Sequence, residues 1–149
     1  MNNWAYDAAL ADADDDFDLR PGAIRLHNAS DFEGMRKAGG IAAQTLDFIA
    51  PHVRPGITTG ELDALCHDFM LEHGAVPATL GYRGYPKSCC TSVNHVVCHG
   101  IPGEKRLEEG DTLNIDITTI VDGWHGDTSR MFLVGDVGVK AKRLCDVTF

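Results

Sequence analysis

Apolar and polar residues alternate with the period of a β-strand along two adjacent segments towards the end of the sequence. The segments form residues 111–135, DTLNIDITTIVDGWHGDTSRMFLVG, and Asp122-Gly123 lies between them. An Asp-Gly pair between two alternating segments is typical of a two-residue turn of type I′. The pattern therefore predicts an antiparallel β-hairpin in which Val121 pairs with Trp124.

The register of this hairpin determines which side chains share a face. Counting outward from the turn places Thr118 opposite Asp127. Further along, Asp116 lies opposite Ser129, which makes Asp116 and Asp127 diagonal neighbours with backbones about 7–8 Å apart. The other polar residues predicted on this face are Asn114, Thr118, His125 and Ser129. The apolar residues on the opposite face, which we expect to be buried, are Leu113, Ile115 and Ile117.

The pair formed by Asp116 and Asp127 allows three interpretations. The simplest is a solvated sheet face, where charged residues on strands usually lie. The second is a divalent-metal site, because hard cations take oxygen ligands and a bound dication offsets the repulsion between two carboxylates. The third is a pair of carboxyl groups that shares one proton. The spacing of the two residues leaves all three open.

Two earlier segments predict amphipathic helices. In the first, Ser30 and Glu33 have the spacing of a capping box. The residues that then recur at helical spacing are Phe32, Met35, Ala38, Ala42, Thr45, Leu46 and Ile49. In the second, Thr58 and Glu61 repeat the capping box and Gly74 ends the helix. Its apolar stripe is Leu62, Leu65, Cys66 and Phe69.

The region between the helices and the hairpin contains further candidate chemistry. Residues 79–85 are rich in glycine and tyrosine, which predicts either a loop that a ligand approaches closely or a turn packed by two aromatic rings. Residues 91–98 alternate as a third strand and end at the loop His99-Gly100-Ile101-Pro102-Gly103. A histidine beside such a loop is well placed for function, although a lone histidine is more often a surface or core residue.

Composition indicates one folded domain with an acidic extension. The 149 residues are 44% hydrophobic and 23% charged, as in ordinary globular proteins. The net charge is −9, and the first twenty residues contain six aspartates against one arginine. We therefore expect residues 1–29 to form an acidic, disordered amino-terminal extension and residues 30–149 to form the domain. Without a basic stripe or a long apolar segment, neither a nucleic acid nor a membrane is an expected partner.

The cysteines indicate a reducing compartment. There are five, an odd number without regular spacing, so we expect a cytoplasmic protein with free thiols. A zinc site built from Cys89, Cys90, Cys98 and His99 is an alternative, but these residues lack the C-x₂₋₄-C pair that zinc sites usually contain. Buried or pocket-lining thiols are the simpler interpretation.

Four segments carry a resemblance to a known enzyme family. Two of them are residues 81–103, GYRGYPKSCCTSVNHVVCHGIPG, and residues 114–135, NIDITTIVDGWHGDTSRMFLVG. The helical segments are MRKAGGIAAQTLDFI and RPGITTGELDALC. Together they resemble type I methionine aminopeptidases over residues 30–145. The resemblance implies an α+β fold, namely the amino-terminal half of the pita-bread fold of creatinases and aminopeptidases, with an antiparallel sheet and two amphipathic helices packed on one face.

The same resemblance implies a set of site residues. Asp116 would bind one metal through both oxygens, and Asp127 would bridge the two divalent ions of a dinuclear site, which in this family are Co, Mn, Fe or Zn. His99 would act in catalysis and substrate binding by contacting the scissile amide. The residues that would line the pocket for the methionine side chain are Thr79, Tyr82, Tyr85 and Cys90.

The implied function is that of a metalloaminopeptidase, which removes the amino-terminal methionine from nascent proteins with a metal-activated water. The family is longer than this chain, and its second half supplies one histidine and two glutamates to the metals. Residues 30–149 would therefore form a partial catalytic domain that need not be active alone. One alternative is a noncatalytic half-domain that binds peptide amino termini or a protein partner. Another is a structural relic that self-associates through its exposed half-domain surface.

Overall fold

The computed structural model of the chain describes residue 24 and residues 26–148. Most of the expected acidic extension, residues 1–23 and 25, lies outside the described residues, and its disorder stays a prediction. The helices are α1 (Ala29–Ile49), α2 (Thr59–Glu72) and α3 (Val139–Thr148), with 3₁₀ turns at Ala50–His52 and Tyr82–Gly84. The strands are β1 (Val76–Pro77), β2 (Cys90–Val93), β3 (Thr112–Val121) and β4 (Trp124–Leu133).

The hairpin between β3 and β4 confirms the predicted register. The two strands pair over their full lengths, and Val121 lies opposite Trp124 at the turn. Asp122 and Gly123 have φ angles of 50° and 77°, the positive values that a type I′ turn requires. The predicted face is therefore formed, because a shift of one residue would move every side chain to the other side of the sheet.

The sheet has four strands, and β3 lies at its centre. β4 pairs along one edge of β3, while the short strands β1 and β2 share the other edge, all in antiparallel orientation. The predicted strand at residues 91–98 is wrong beyond Val93. Asn94 has a φ of 53°, and its side-chain oxygen accepts a hydrogen bond of 2.9 Å from the backbone N–H of Thr112, so the chain turns away there.

The start of α1 differs from the prediction. Its N-cap is Asn28, whose side chain accepts hydrogen bonds from the backbone N–H groups of Ser30 and Asp31. The Asp31 carboxylate accepts in return from the Asn28 backbone N–H at 2.9 Å. The predicted capping box of Ser30 and Glu33 is therefore wrong, because Asn28 meets the same requirement two residues earlier.

The buried stripe of α1 also takes a different path at its start. Phe32 and Met35 are each 46% exposed, whereas Ala38 is fully buried. The stripe runs from Ala38 back to Gly34, where an added Cβ would lie 2.4 Å from the ring of Trp124. The remaining predicted residues, Ala42, Thr45, Leu46 and Ile49, are buried as expected.

Helix α2 begins as predicted. The Thr58 hydroxyl accepts a hydrogen bond from the Glu61 backbone N–H, and the Glu61 carboxylate accepts from the Thr58 backbone N–H at 2.7 Å. The helix ends at Glu72, where the His73 ring lies 2.8 Å from the Phe69 carbonyl oxygen. Of the predicted stripe, Leu62 and Cys66 are fully buried, and Leu65 packs against the core from its edge.

Both amphipathic helices pack on one face of the sheet and form a single core. Leu113, Ile115 and Ile117 of β3 are fully buried against them, as expected. At the closest approach, an added Cβ on Gly126 would lie 2.2 Å from the backbone nitrogen of Gly39. The opposite face of β3 and β4 carries the polar residues and remains open. Within residues 26–148, no helix has the length and apolar character that a membrane crossing requires.

Candidate metal and peptide site

Asp116 and Asp127 lie together on the open face of the hairpin. Asp116 is half-buried and Asp127 is exposed, and the Thr118 hydroxyl donates a hydrogen bond of 3.2 Å to Asp127. Partial burial and the negative charge of Asp127 raise the pKa of the Asp116 carboxyl, and a hydrogen bond to Asp127 adds to this effect. The two carboxylates are therefore close enough to repel each other.

This donor set fits a divalent cation. Two carboxylates and a hydroxyl are hard oxygen donors, and a bound dication would offset the repulsion that opposes ionisation of Asp116. In the described part of the chain, no group of three or more His, Cys, Asp or Glu side chains is placed to hold a metal. Asp116 and Asp127 therefore supply part of a coordination sphere.

A cavity of about 710 Å³ opens over the two aspartates, within the usual size range of ligand sites. It brings together all seven predicted site residues, which are Thr79, Tyr82, Tyr85, Cys90, His99, Asp116 and Asp127. The other residues that line it are Ala78, Arg83, Gly84, Pro86, Ile101, Thr118 and His125. Residues from separate strands and loops thus form one site with an acidic and an aromatic surface.

Tyr85 ties two loops together on the aromatic side of the cavity. Its single hydroxyl proton is shared between the carbonyl oxygens of Cys89 and Gly100, each of which lies 3.1 Å from the hydroxyl oxygen. Burial raises the pKa of Tyr85, and a hydrogen bond with Cys90 adds to this effect, so the hydroxyl remains a donor. The hydroxyl of Thr79 donates to the Lys87 carbonyl at 3.0 Å. Both hydroxyls therefore stabilise the loop, and the tyrosine rings face the cavity.

Cys90 joins the aromatic side of the cavity to the acidic side. It is buried on β2 directly opposite Asp116. Burial raises the pKa of the Cys90 thiol. A hydrogen bond with Tyr85 opposes this rise, and the charge of Asp116 adds to it. The thiol therefore stays protonated and serves as a soft, polarizable surface instead of a nucleophile.

Cys89 points away from the cavity and into the core. A hydrogen bond with Cys66 and burial raise the pKa of the Cys89 thiol well above its ordinary value. The buried carboxylate of Asp63 accepts hydrogen bonds from the backbone N–H groups of Ser88 and Cys89 at 2.8 and 3.1 Å. Cys98, by contrast, is exposed. The alternative zinc site of Cys89, Cys90, Cys98 and His99 is therefore not formed.

His99 reaches the cavity from within a longer loop than predicted, because β2 ends at Val93 and not at Cys98. Its φ is 54°, an uncommon value for a residue with a side chain. The next residue, Gly100, lies so close to β2 that an added Cβ would be 2.1 Å from the Thr91 carbonyl oxygen. The loop is therefore folded back on β2, where the charge of His99 opposes the rise in the Asp116 pKa.

Of the seven other residues that line the cavity, two have basic side chains to which the sequence assigned no role. His125 lies on the same face of β4 as Asp127, and the hairpin register already placed it there. Arg83 lies between the two tyrosines with a φ of 48°, and its guanidinium carbon is 5.3 Å from the centre of the Tyr82 ring. The signal for Arg83 was its position inside a glycine- and tyrosine-rich loop.

The sequence of this chain is similar to sequences of known proteins. A model of the family described as metallopeptidase family M24 matches residues 33–149. The methionine aminopeptidase of Rickettsia prowazekii is 60% identical over 126 residues, covering 85% of this chain and 49% of the relative. That of Escherichia coli K12 is 54% identical over 128 residues, covering 85% and 48%. The chain thus spans about half the length of the curated relatives it matches.

The fold of this chain is also similar to that of solved structures. The crystal structure of methionine aminopeptidase from Rickettsia prowazekii matches with a TM-score of 0.83 and 60% identity, covering 85% of this chain and 51% of that one. The methionine aminopeptidase from Thermotoga maritima matches with a TM-score of 0.81 and 33% identity, with the same coverage of 85% and 51%. The prolidase from Pyrococcus furiosus, at 21% identity and a TM-score of 0.69, shares the fold.

Proposed function

Because the chain belongs to metallopeptidase family M24, we propose that residues 30–149 form the partial catalytic domain of a methionine aminopeptidase, an enzyme that removes the amino-terminal methionine from nascent proteins. The observation that carries this proposal is the single cavity, in which two carboxylates face an aromatic and thiol-lined surface. A peptide amino terminus has the matching features, since it joins a cationic ammonium to an apolar side chain.

We assign the acidic side of the cavity to metal binding. Asp116 and Asp127 would hold the divalent ions, two in a complete site, with Co, Mn, Fe or Zn as the candidates. Bound ions of this kind activate water and polarise a peptide carbonyl. This assignment is supported by the hairpin register, which places both aspartates on one face of the paired strands β3 and β4.

We assign the opposite side to the methionine side chain. An unbranched thioether packs well against aromatic rings and sulfur, and Tyr82, Tyr85 and Cys90 provide these surfaces. Thr79 shapes the pocket through its hydrogen bond to the Lys87 carbonyl. The hydroxyl of Tyr85 is hydrogen-bonded to backbone carbonyls. These hydrogen bonds hold the Tyr85 ring in place before a ligand enters.

His99 is the candidate for contact with the scissile amide. It lines the cavity next to Asp116 and is exposed, so its imidazole is free to approach a bound peptide. A neutral imidazole can both donate and accept a hydrogen bond, and a protonated one donates from both nitrogens. In this role His99 would orient the amide and stabilise negative charge on its oxygen, without binding the metal.

A second candidate function is peptide binding without turnover. The observation that favours it is the size of the donor set, since in residues 26–148 no group of three or more His, Cys, Asp or Glu side chains is placed to hold a metal. Such a half-domain would bind peptide amino termini or a protein partner through the same cavity. In both cases we place the chain in the cytoplasm, where the free cysteines of the described residues would stay reduced.

Release of methionine from the peptide Met-Ala-Ser tests the proposal. The purified chain is incubated with the peptide and Mn(II) or Co(II), and a chelator serves as the control. Chelator-sensitive release supports the aminopeptidase, with the remaining ligands supplied by another polypeptide segment or a second copy. Binding of the peptide without release supports the noncatalytic function, and a folded chain that neither binds nor cleaves it contradicts both.

A further inference from the structure

Arg83 stands out among the residues that line the cavity. Among the described residues of that group it is the one lysine or arginine, and the others with side chains that can carry charge include the carboxylates of Asp116 and Asp127 and the imidazoles of His99 and His125. It is exposed and makes no ion pair with any carboxylate of the described residues. Its positive charge therefore faces the mouth of the cavity without an acidic partner from the described part of the chain.

The backbone of Arg83 adopts an unfavourable conformation beside the cavity. A φ of 48° is uncommon for an arginine, and such conformations cluster at functional sites. The guanidinium lies over the ring of Tyr82, a contact that restrains the side chain and aligns it with the same side of the cavity. The charge is thus positioned next to the surface that we assign to the methionine side chain.

From this placement we propose that Arg83 determines specificity by binding an acidic side chain at the third position of the peptide. The inference rests on the proposed function, which puts the first side chain against Tyr82. In an extended peptide, alternate side chains point to the same side. The first and third side chains therefore face one side of the cavity, and Arg83 is the neighbour of Tyr82 along the chain.

The preferred substrate class is consequently a polypeptide that begins with methionine and carries glutamate or aspartate two residues later. Both partners are at the mouth of the cavity and partly hydrated, so we expect a preference of about two- to fivefold over an uncharged residue. The preference should shrink as salt is added, since ionic screening weakens exposed charge pairs.

The test compares the peptide amides Met-Ala-Glu-Ser and Met-Ala-Gln-Ser, which differ in one charge. Their dissociation constants are measured by NMR titration of the intact chain, without metal and with added Zn(II). For each variant we compare the dissociation constants of the two peptides as a ratio. A substitution that alters the pocket for both peptides alike does not change this ratio. We expect this ratio to favour glutamate in the unsubstituted chain and to approach one in Arg83→Gln.

Two matched variants separate charge from other effects. Arg83→Lys keeps the charge and should retain most of the preference. Arg54→Gln removes an exposed arginine that does not line the cavity, and it should leave the ratio unchanged. Moving the glutamate to the second or fourth position of the peptide should abolish the preference, because those side chains point to the other side.

The outcomes distinguish this inference from the proposed function. A ratio of one in the unsubstituted chain, or a preference that survives Arg83→Gln, overturns the role of Arg83 even when both peptides bind. The peptide amide Ala-Ala-Gln-Ser provides the second comparison. If it binds as well as Met-Ala-Gln-Ser, or if no peptide binds at all, the proposed methionine site fails and the inference fails with it.

Discussion

The buried carboxylate of Asp63 on α2 accepts a hydrogen bond of 2.8 Å from the backbone N–H of Ser88. A second bond of 3.1 Å comes from the N–H of Cys89. This contact joins the helical layer to the segment that carries Tyr85 and Cys90 into the cavity. One acidic residue that never touches the cavity thus fixes the position of two residues that line it.

Replacement of Asp63 by alanine should therefore destabilise the protein. Two buried N–H groups would lose their acceptor, at a cost of about 1–3 kcal/mol for each group left unsatisfied. The free energy of unfolding in urea measures this loss. Lys87→Met is the control, because it removes a partly exposed ammonium 3.6 Å from Asp63 but keeps both backbone hydrogen bonds, so we expect a smaller loss. Equal effects of the two substitutions would contradict the anchoring role.

The N-cap of α1 is Asn28 in the structure, whereas the sequence predicted Ser30, and substitutions distinguish the two. Asn28→Ala removes the side chain that accepts from two backbone N–H groups, and we expect it to cost about 1 kcal/mol of stability. Ser30→Ala, at the N-cap predicted from the sequence, should cost markedly less. Thermal unfolding of both variants measures the difference, and a larger loss for Ser30→Ala would restore the predicted cap.

The approach of α1 to β4 at Gly126 leaves no room for a side chain. Gly126→Ala would place a methyl group 2.2 Å from the Gly39 nitrogen, so we expect destabilisation of about 1–3 kcal/mol from overpacking. Gly40→Ala is the matched control, since nothing lies within 4 Å of its added Cβ. In a helix this change should stabilise by about 0.5–1 kcal/mol. The free energy of unfolding in urea measures both effects. If both substitutions changed this free energy in the same direction, the close packing at Gly126 would be contradicted.

Asp111 should make stability depend on pH in the acid range. Burial opposes its ionisation, but hydrogen bonds from the Glu108 N–H and the Asn94 amide, together with the charge of Lys105, lower the pKa of the Asp111 carboxyl. Its contribution is thus complete above the unfolded pKa of about 3.9 and is lost as the pH falls through the lower folded pKa.

Asp111→Asn should accordingly lower stability at neutral pH and reduce the further loss below about pH 4. Urea unfolding at several pH values measures the slope. Glu72→Gln, a change at an exposed carboxylate at the end of α2, should leave the slope nearly unaltered. An acid slope that is the same in Asp111→Asn and in the unsubstituted chain would remove this assignment.

The assignment of Asp127 as a bridging ligand predicts a change in metal stoichiometry. If the chain binds two Mn(II) ions, Asp127→Asn should reduce binding to one ion or none, because the bridge loses its charge. Calorimetric titration gives the number of ions bound, and an unchanged number would exclude the bridging role. In the same titration His99→Ala should keep its metal content while its affinity for Met-Ala-Ser falls.

The sequence predicted the structure best where neighbouring residues in the chain determine it. The Asp-Gly turn and strict alternation set the hairpin register, and this register placed Asp116 and Asp127 on one face. Local signals failed at Asn94, where a single residue in a left-handed conformation ends β2 early. The position of His99 depends on Gly100 packing against Thr91, a contact between backbones that residue types alone do not reveal. Arg83 lacked any periodic pattern that could mark it.

Among the described residues, those that line the cavity fall between Ala78 and Asp127. Helices α1 and α2 precede them in the chain, and β4 supplies the last two, His125 and Asp127. Segments close in sequence meet with little loss of loop entropy, and folding during synthesis proceeds from the amino terminus. The cavity can therefore assemble during synthesis once β4 has emerged from the ribosome, because no described residue after Asp127 lines it.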